Sequence, residues 1–335
     1  MIVTPNLLYH KNSVIGILNQ YFSLYFQNFS TGTAETLFLF VLSMLAVESA
    51  RSVRYLYVHF ISKITNKSIN AFYYACYYAK IDYTSFMKIT AKLALKMIPE
   101  YYNNQPVFLC IDDTLIGKFG QKFEDVSKLF DHSLHNGSNF INGHCFVSLM
   151  LCVPVRENNK IHYCSIPLGY TMWKKDKSKI ELAKDMVDKV MPTLSEIHQV
   201  ILLFDSWYAK KPLTTIVSKY ANLDIVCNAR YDSAIYDLPP QKTGKKGRPA
   251  KKGKRLSLID DFKLSENKIG DYYIGYRNLL TNIFGNLNVM TYVTANTKNT
   301  STRRLFFSTM MPHNIHISCA TPLILRKYAF EGTFG

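Results

Sequence analysis

The stretch that decides the fold is Val107-Phe-Leu-Cys-Ile-Asp-Asp-Thr114. Five apolar residues predict a buried β-strand, and the strand delivers two adjacent carboxylates at its end. Two like charges a few ångströms apart resist joint ionisation, so such a pair is costly unless a cation or a proton is held there. Asp112 and Asp113 are therefore candidate ligands of a cation.

A second stretch repeats this design. Val200-Ile-Leu-Leu-Phe-Asp-Ser-Trp-Tyr208 is an apolar strand with Asp205 at its tip. Each of these aspartates could also be a turn or capping residue, and Asp205-Ser206 before a helix has the form of an N-cap. The two stretches form one site only if the fold places their strands side by side.

The order of predicted elements gives that placement. Strands and helices alternate as β-β-β-α-β-α-β, which predicts an α/β sheet with a hairpin at one edge and crossover helices. The predicted segments are Val107–Ile111, 144–155, 161–172, helix 178–190, 198–204, helix 206–220 and 223–230. This order is similar to the ribonuclease H-like fold, in which the first and fourth strands are neighbours.

The composition favours a polyanionic partner. The chain has 335 residues and a formal net charge of +16, with 40 Lys and Arg against 24 Asp and Glu. Such an excess indicates binding to nucleic acid or to an anionic surface. The seven cysteines form no CxxC pair and predict reduced thiols of a cytoplasmic protein. The apolar run 37–46 is far shorter than the roughly 20 residues of a membrane span, so no membrane association is expected.

Four regions are expected along the chain. Residues 1–100 read as helical, with scattered Lys and Arg that suggest a DNA-binding domain. Residues 101–230 form the first part of the catalytic core, 231–310 a basic loop with a β-rich insertion, and 311–335 the start of a further helix. The four strands expected in the insertion are 256–259, 272–277, 288–293 and 304–308.

The basic loop carries eight Lys or Arg among residues 241–255 and has almost nothing apolar to bury. Its Gly-Arg-Pro sequence resembles an AT-hook, which presents Arg to the minor groove of A·T-rich DNA. The alternative is an unstructured loop that contacts phosphates. The predicted DNA contacts are Lys245, Lys246, Arg248, Lys251, Lys252, Lys254, Arg255 and, outside the loop, Arg230.

Two aspartates from neighbouring strands and one glutamate from a later helix can hold two divalent cations about 4 Å apart. Such a site activates an oxygen nucleophile and stabilises the leaving oxygen of a phosphoryl displacement. Carboxylate oxygens suit Mg²⁺, and Mn²⁺ is the alternative. Phosphodiester chemistry is consistent with a strongly basic chain.

The motifs around Asp112-Asp113-Thr114 and Asp205-Ser-Trp-Tyr208, the Gly-Arg-Pro loop and the β-rich stretch before a final glutamate resemble the bacterial insertion-sequence transposases of the DDE type. The resemblance covers about residues 100–335. It implies a ribonuclease H-like core that cuts and joins double-stranded DNA with Mg²⁺. The first catalytic and metal-binding acid would be Asp112 or Asp113, the second Asp205 and the third Glu331.

Around Glu331 this sequence departs from the family's signature helix. Ile324 stands in place of the family's Tyr, and Lys327 stands in place of its Arg. The closing Lys of that helix would fall beyond Gly335, so we expect a C-terminally truncated copy; the full-length chain would be a homodimer. Two alternatives follow: an inactive transposase that only binds DNA, and a ribonuclease H-like nuclease unrelated to transposition.

Overall fold

The computed structural model describes residues 14–49, 52–120, 123–130, 139–241, 248, 250–258, 261–268, 272–297 and 303–310. The chain divides into two compact units, Met1–Ile89 and Thr90–Gly335. The first is helical and the second contains one large sheet, so each is described by itself.

The helical unit contains α1 (Val14–Phe26), α2 (Thr31–Ala46), α3 (Val53–His59) and α4 (Ile69–Tyr78), and α5 (Tyr83–Leu95) begins within it. Its apolar core has two parts, one around Phe26 and Phe38 and the other around Leu56 and Phe72. Prediction of helices is confirmed here, since apolar residues at helical spacing form the buried faces. Among the described residues, no helix combines the length and the apolar character that crossing a membrane requires.

The second unit contains a ten-stranded mixed sheet. Its strands are β1 (Val107–Gly117), β2 (Ser127–Phe130), β3 (Phe140–Glu157), β4 (Lys160–Met172), β5 (Val200–Phe204), β6 (Leu223–Ala229), β7 (Ile235–Tyr236), β8 (Tyr273–Thr281), β9 (Asn288–Ala295) and β10 (Arg304–Ser308). The order is β2-β3-β1-β5-β6-β10-β9-β8-β7, and β4 also pairs with β3. The predicted α/β, ribonuclease H-like class is confirmed.

Strand β1, which carries Asp112 and Asp113, lies inside the sheet between β3 and β5. It is antiparallel to β3 and parallel to β5, as the predicted neighbourhood of first and fourth strands requires. The strand was predicted to end at Ile111, which was wrong: it continues to Gly117. Its pairing with β3 extends to Gly117↔Gly143, whereas its pairing with β5 stops at Ile111↔Phe204. Asp112 and Asp113 are therefore held within a strand and beyond the end of its parallel neighbour.

Helix α6 (Lys179–Val190) follows the predicted bounds closely. Ser178 caps it by accepting a hydrogen bond from the Glu181 N–H, and the Glu181 side chain accepts one in return from the Ser178 N–H. This reciprocal pair is a capping box, a strong helix-start signal in sequence. The helix buries Ile180, Ala183, Met186, Val187 and Val190 and contacts β3.

The helix predicted over 206–220 was wrong in extent. The structure has a four-residue helix, α7 (Lys211–Thr214), followed by a 3₁₀ turn over Thr215–Lys219. Residues after Asp205 instead form a tight turn, because the Asp205 carboxylate accepts the backbone N–H groups of Trp207 and Tyr208. Lys210 occupies the N-cap position, and Pro212 lies in the first turn, where its missing N–H is tolerated.

Two further corrections concern strands. No strand was predicted between Val107–Ile111 and 144–155, yet β2 lies there and pairs with the first residues of β3, whereas β4 pairs with the later ones. The predicted strand at 256–259 is absent from the described part of that segment. Arg255 makes one isolated bridge with Tyr236 instead. The remaining strands of this region join the same sheet, because β10 pairs with β6.

Candidate functional site

Asp112 and Asp205 lie at equivalent positions on neighbouring parallel strands. Each directly follows the last registered pair, Ile111↔Phe204. Side chains alternate between the faces of a sheet, so Asp112, within β1, shares its face with Phe108 and Cys110. Asp205 directly follows the last residue of β5, and its negative charge reaches the Asp112 carboxyl group. The two carboxylates are therefore at one edge of the sheet.

Burial and neighbouring charge raise the pKa of Asp112 to about 6. Burial is the largest cause, and the negative charges of Asp113 and Asp205 add to it. The Asp113 N–H, which donates to Asp112 Oδ1 at 2.8 Å, and the charge of Lys179 act in the opposite direction. A carboxylate in this position is stabilised by any cation brought to it.

The pKa of Asp205 is raised by burial as well, and the Asp113 charge contributes in the same direction. Two backbone N–H groups of the following turn partly offset the shift, with Trp207 N at 3.0 Å and Tyr208 N at 3.3 Å from Oδ1. Because these bonds use the backbone, they fix the carboxylate whatever side chains the turn carries.

Asp113 lies in a different environment. Its Oδ2 is 2.7 Å from Lys179 Nζ and accepts the Cys145 thiol at 3.3 Å, while Oδ1 accepts the Tyr208 hydroxyl at 3.2 Å. These partners come from α6, β3 and the turn after β5. Asp113 therefore joins three elements through one carboxylate, on the face opposite to that of Asp112.

The two donors beside Asp113 stay protonated. Burial raises the pKa of Tyr208, and the Asp113 charge adds to the shift. The same two causes raise the pKa of Cys145 to about 12. A neutral hydroxyl and a neutral thiol can each donate to a carboxylate. Tyr208 and Cys145 therefore hold the Asp113 side chain in place as hydrogen-bond donors.

Trp207 stands next to Asp205 with 38% of its surface exposed. The ammonium groups of Lys179 and Lys210 lie 4.4 and 4.5 Å from its ring centroid. Cations at this distance over an indole are attracted by the ring's negative face. Lys179 is also the ion-pair partner of Asp113, so the ring, this ion pair and Lys210 form one cluster beside the carboxylate edge.

The sequence left the choice between Asp112 and Asp113 open and gave no role to Lys179, Cys145 or Tyr208. Lys179 carried a usable signal, since the helix predicted over 178–190 placed it in the first turn. Cys145 carried none, because its contact with Asp113 depends on the register of β1 against β3.

The predicted DNA contacts differ in their exposure and in the residues that they already contact. Lys245 and Lys246 lie outside the described residues, and Arg248, Lys251, Lys254 and Arg255 are exposed. Lys252 lies 4.4 Å from the ring centroid of Tyr236 and contacts Asn282, and Lys254 pairs with Asp261 at 3.5 Å. Arg230 makes two 3.1 Å bonds to Asp232.

The end of the basic loop is ordered, which does not match the alternative of an unstructured loop. Gly253 N donates to Asp237 O, and Asp237 N donates to Lys254 O, both at 2.9 Å. A Cβ on Gly253 would lie 2.5 Å from Leu238 O, so only glycine allows this approach. Lys251, Lys252 and Lys254 are therefore presented from a backbone anchored beside β7.

The donors at the sheet edge fit a hard divalent cation. Asp112 and Asp205 supply carboxylate oxygens, the ligand type that Mg²⁺ and Mn²⁺ prefer, and their raised pKa values show that extra positive charge would be favourable. No group of three metal-binding side chains occurs within the described part of the chain. Glu331, the predicted third ligand, lies outside it.

Comparison with known families identifies the class. Residues 79–268 match the family described as DDE superfamily endonuclease. The match includes Asp112, Asp113 and Asp205 and covers more than half of the chain, so this protein belongs to the DDE superfamily endonucleases. Nucleases of this superfamily generally use divalent metal ions.

Comparison with curated protein sequences found no match. Among solved structures, the NurA nuclease from Sulfolobus solfataricus is similar with a TM-score of 0.30 and 9% sequence identity. That similarity covers 70% of this chain and 78% of the NurA chain.

Proposed function

We propose that this protein is a DNA transposase that cleaves and joins DNA at the ends of an insertion sequence. The observation that carries the proposal is the position of Asp112 and Asp205, side by side at the ends of parallel strands in a chain of the DDE superfamily. The formal charge of +16 supports DNA as the substrate.

In this proposal Asp112 is the first acid, Asp205 the second and Glu331 the third, and together they hold Mg²⁺ or Mn²⁺. When bound, the ions lower the pKa of the attacking oxygen and neutralise charge on the phosphate. Asp113 is a positioning residue, because its oxygens already bind Lys179, Tyr208 and Cys145.

The chain's own residues hold the scissile strand. Lys210, over the Trp207 ring, attracts a phosphate to the carboxylate edge, while Lys179 is held by Asp113. The turn from Asp205 to Tyr208 keeps the second acid in a fixed orientation through backbone hydrogen bonds. Such preorganisation reduces the reorganisation needed when charge develops on the phosphate.

The remaining assignments follow from this activity. Residues 1–100 would bind DNA, 101–230 and 311–335 would supply the catalytic acids, and 231–310 would carry the basic loop and the β-rich insertion. The basic loop and Arg230 would contact duplex DNA outside the cleavage point. The working form would be a homodimer that brings two element ends together, in the cytoplasm and on the nucleoid.

The test uses duplex DNA that carries the sequences flanking the encoding gene. Incubation with Mg²⁺ should give strand cleavage and joined products, and Asp205→Ala should give neither. Cleavage without joining in the unaltered protein would identify a simple nuclease. Salt-sensitive binding without any product would identify an inactive DNA-binding protein. Cleavage that survives Asp205→Ala would exclude the proposed site.

A further inference from the structure

A groove of about 560 Å³ lies within the helical unit, between the start of α2 and the end of α4. Its lining includes two tyrosine rings, two lysines and several small polar side chains. Tyr74 and Tyr78 form one wall, and Lys67 and Lys80 lie at its margin. All of these residues belong to one compact unit, so the groove is a feature of that unit alone.

The tyrosines are exposed to an unusual degree. Tyr74 is 65% exposed and Tyr78 is 59% exposed, and their ring centroids are 4.6 Å apart with an interplanar angle of 33°. Tyr77, 82% exposed, packs edge-on against Tyr78 at 4.7 Å. The same helix buries Phe72 and Ala75, and Ala75 also lines the groove. The buried residues of helix α4 account for its packing. Packing does not account for the exposed rings of Tyr74, Tyr77 and Tyr78, and exposed apolar surface of this kind often marks a binding site.

The charge around the groove is positive. Lys80 is exposed at the end of the helix that carries the tyrosines. Lys67, the other lysine of the lining, is paired with Glu35 at 3.2 Å. Flat rings beside an exposed ammonium group match a nucleotide, which has a flat base and an anionic phosphate. The exposed ammonium group of Lys80 and the formal charge of +16 favour an anionic partner over an apolar peptide, and the proposed function makes DNA that partner.

We propose that this groove binds unpaired bases of a DNA strand, with Tyr74 and Tyr78 stacking on the bases and Lys80 contacting the adjacent phosphate. The proposal rests on DNA as the substrate of the proposed function and adds a strand-binding site that is distinct from the carboxylate edge. Unpaired bases are required because duplex DNA hides the base faces on which a tyrosine ring stacks. Cleaved or melted DNA ends present such bases.

Fluorescence anisotropy with the full chain tests this site. The probes are a labelled oligothymidylate, an abasic strand of the same length and a duplex. Tyr74→Ala/Tyr78→Ala should weaken oligothymidylate binding by roughly tenfold or more, since base stacking on an aromatic ring is worth about 1–3 kcal/mol per base. Tyr74→Phe/Tyr78→Phe should bind normally, because it keeps the rings. Tyr21→Ala, which removes a tyrosine 55% exposed elsewhere on the unit, should bind normally too.

Three results would overturn the proposal: equal affinity for the abasic strand, unchanged affinity in the double alanine variant, or a change of oligomeric mass in that variant. The last would make the groove a protein interface. Circular dichroism of each variant should match the unaltered protein, since the substituted rings are exposed. Asp205→Ala should retain oligothymidylate binding, so failure of the catalytic proposal and failure of the groove are separable.

Discussion

The Lys179 ammonium lies 2.7 Å from Asp113 Oδ2, although Asp112 is the neighbour whose carboxyl pKa is raised to about 6. These adjacent aspartates lie on opposite faces of β1, and their partners differ accordingly. Helix α6 supplies a cation to Asp113, whereas Asp112 lies next to the strand that precedes Asp205. In the proposed function, a metal ion would be the cationic partner of Asp112.

The two aspartates should respond differently to neutralisation. Asp112→Asn should reduce Mg²⁺-dependent cleavage to background, because it removes a metal ligand. Asp113→Asn keeps the shape but leaves Lys179 without its anionic partner, and a loss of about 10- to 100-fold is expected for such a supporting residue. Cleavage rates over a Mg²⁺ titration measure both. Equal loss in the two variants, with unchanged thermal stability, would assign metal binding to both residues.

Tyr208 connects Asp205 to the positioning residue Asp113, since its N–H donates to Asp205 and its hydroxyl to Asp113. Tyr208→Phe keeps the buried ring and removes the hydroxyl, so the free energy of unfolding should fall by about 1–2 kcal/mol. Tyr208→Ala also leaves a cavity, and a loss of about 3–5 kcal/mol is expected. Urea denaturation measures both values. A phenylalanine variant as stable as the unaltered protein would show that the hydroxyl bond contributes nothing.

Much of this site could be predicted from the sequence. The alternation of apolar runs with Gly and Asn turns predicted the strands, and the order of the elements placed β1 beside β5, which brings Asp112 near Asp205. These features depend on periodicity and connectivity, which are local and topological properties.

The environment of Asp113 could not be predicted in the same way. Its contacts with Lys179 and Cys145 depend on how α6 packs and on the register of β3, and neither is specified within a short stretch of sequence. The helix after Asp205 was overpredicted for a related reason. Apolar spacing favoured a helix from Ser206, but the Asp205 carboxylate bonds to the next backbone N–H groups and holds a turn there.

Lys210 should contribute to DNA binding near the carboxylate edge. Lys210→Ala removes one positive charge beside Trp207, so the slope of log affinity against log salt concentration should fall by about 1. Lys219→Ala is the matched control, because Lys219 lies on the same segment but pairs with Asp188 at 2.7 Å. Anisotropy with duplex DNA over a salt series measures the slopes. Identical slopes for the two variants would argue against a phosphate contact at Lys210.

The Asp188 carboxylate should give a measurable pH dependence of stability. Burial would raise its pKa, but hydrogen bonds from Lys219 and Tyr220 outweigh burial and lower it. A lowered folded-state pKa means that this contribution is complete above the unfolded value near 3.9 and is lost as pH falls through the folded value. The stability difference between the unaltered protein and Asp188→Asn should therefore shrink below about pH 4. A difference that grows on acidification would contradict the assignment.

Gly253 should be essential to the anchored end of the basic loop. A Cβ there would lie 2.5 Å from Leu238 O and 2.9 Å from Asp237 Cβ, and neither the carbonyl nor the strand behind it can move aside cheaply. Gly253→Ala should therefore release residues 251–255 from β7, lower the melting temperature and weaken duplex binding, while leaving the carboxylate edge intact. Gly117→Ala is the matched control, because a Cβ at Gly117, the last residue of β1, meets nothing within 4 Å. That control should leave the melting temperature unchanged, since the added methyl group meets no neighbour. Equal melting temperatures and duplex affinities for the two variants would show that the close approach at Gly253 does not hold the loop.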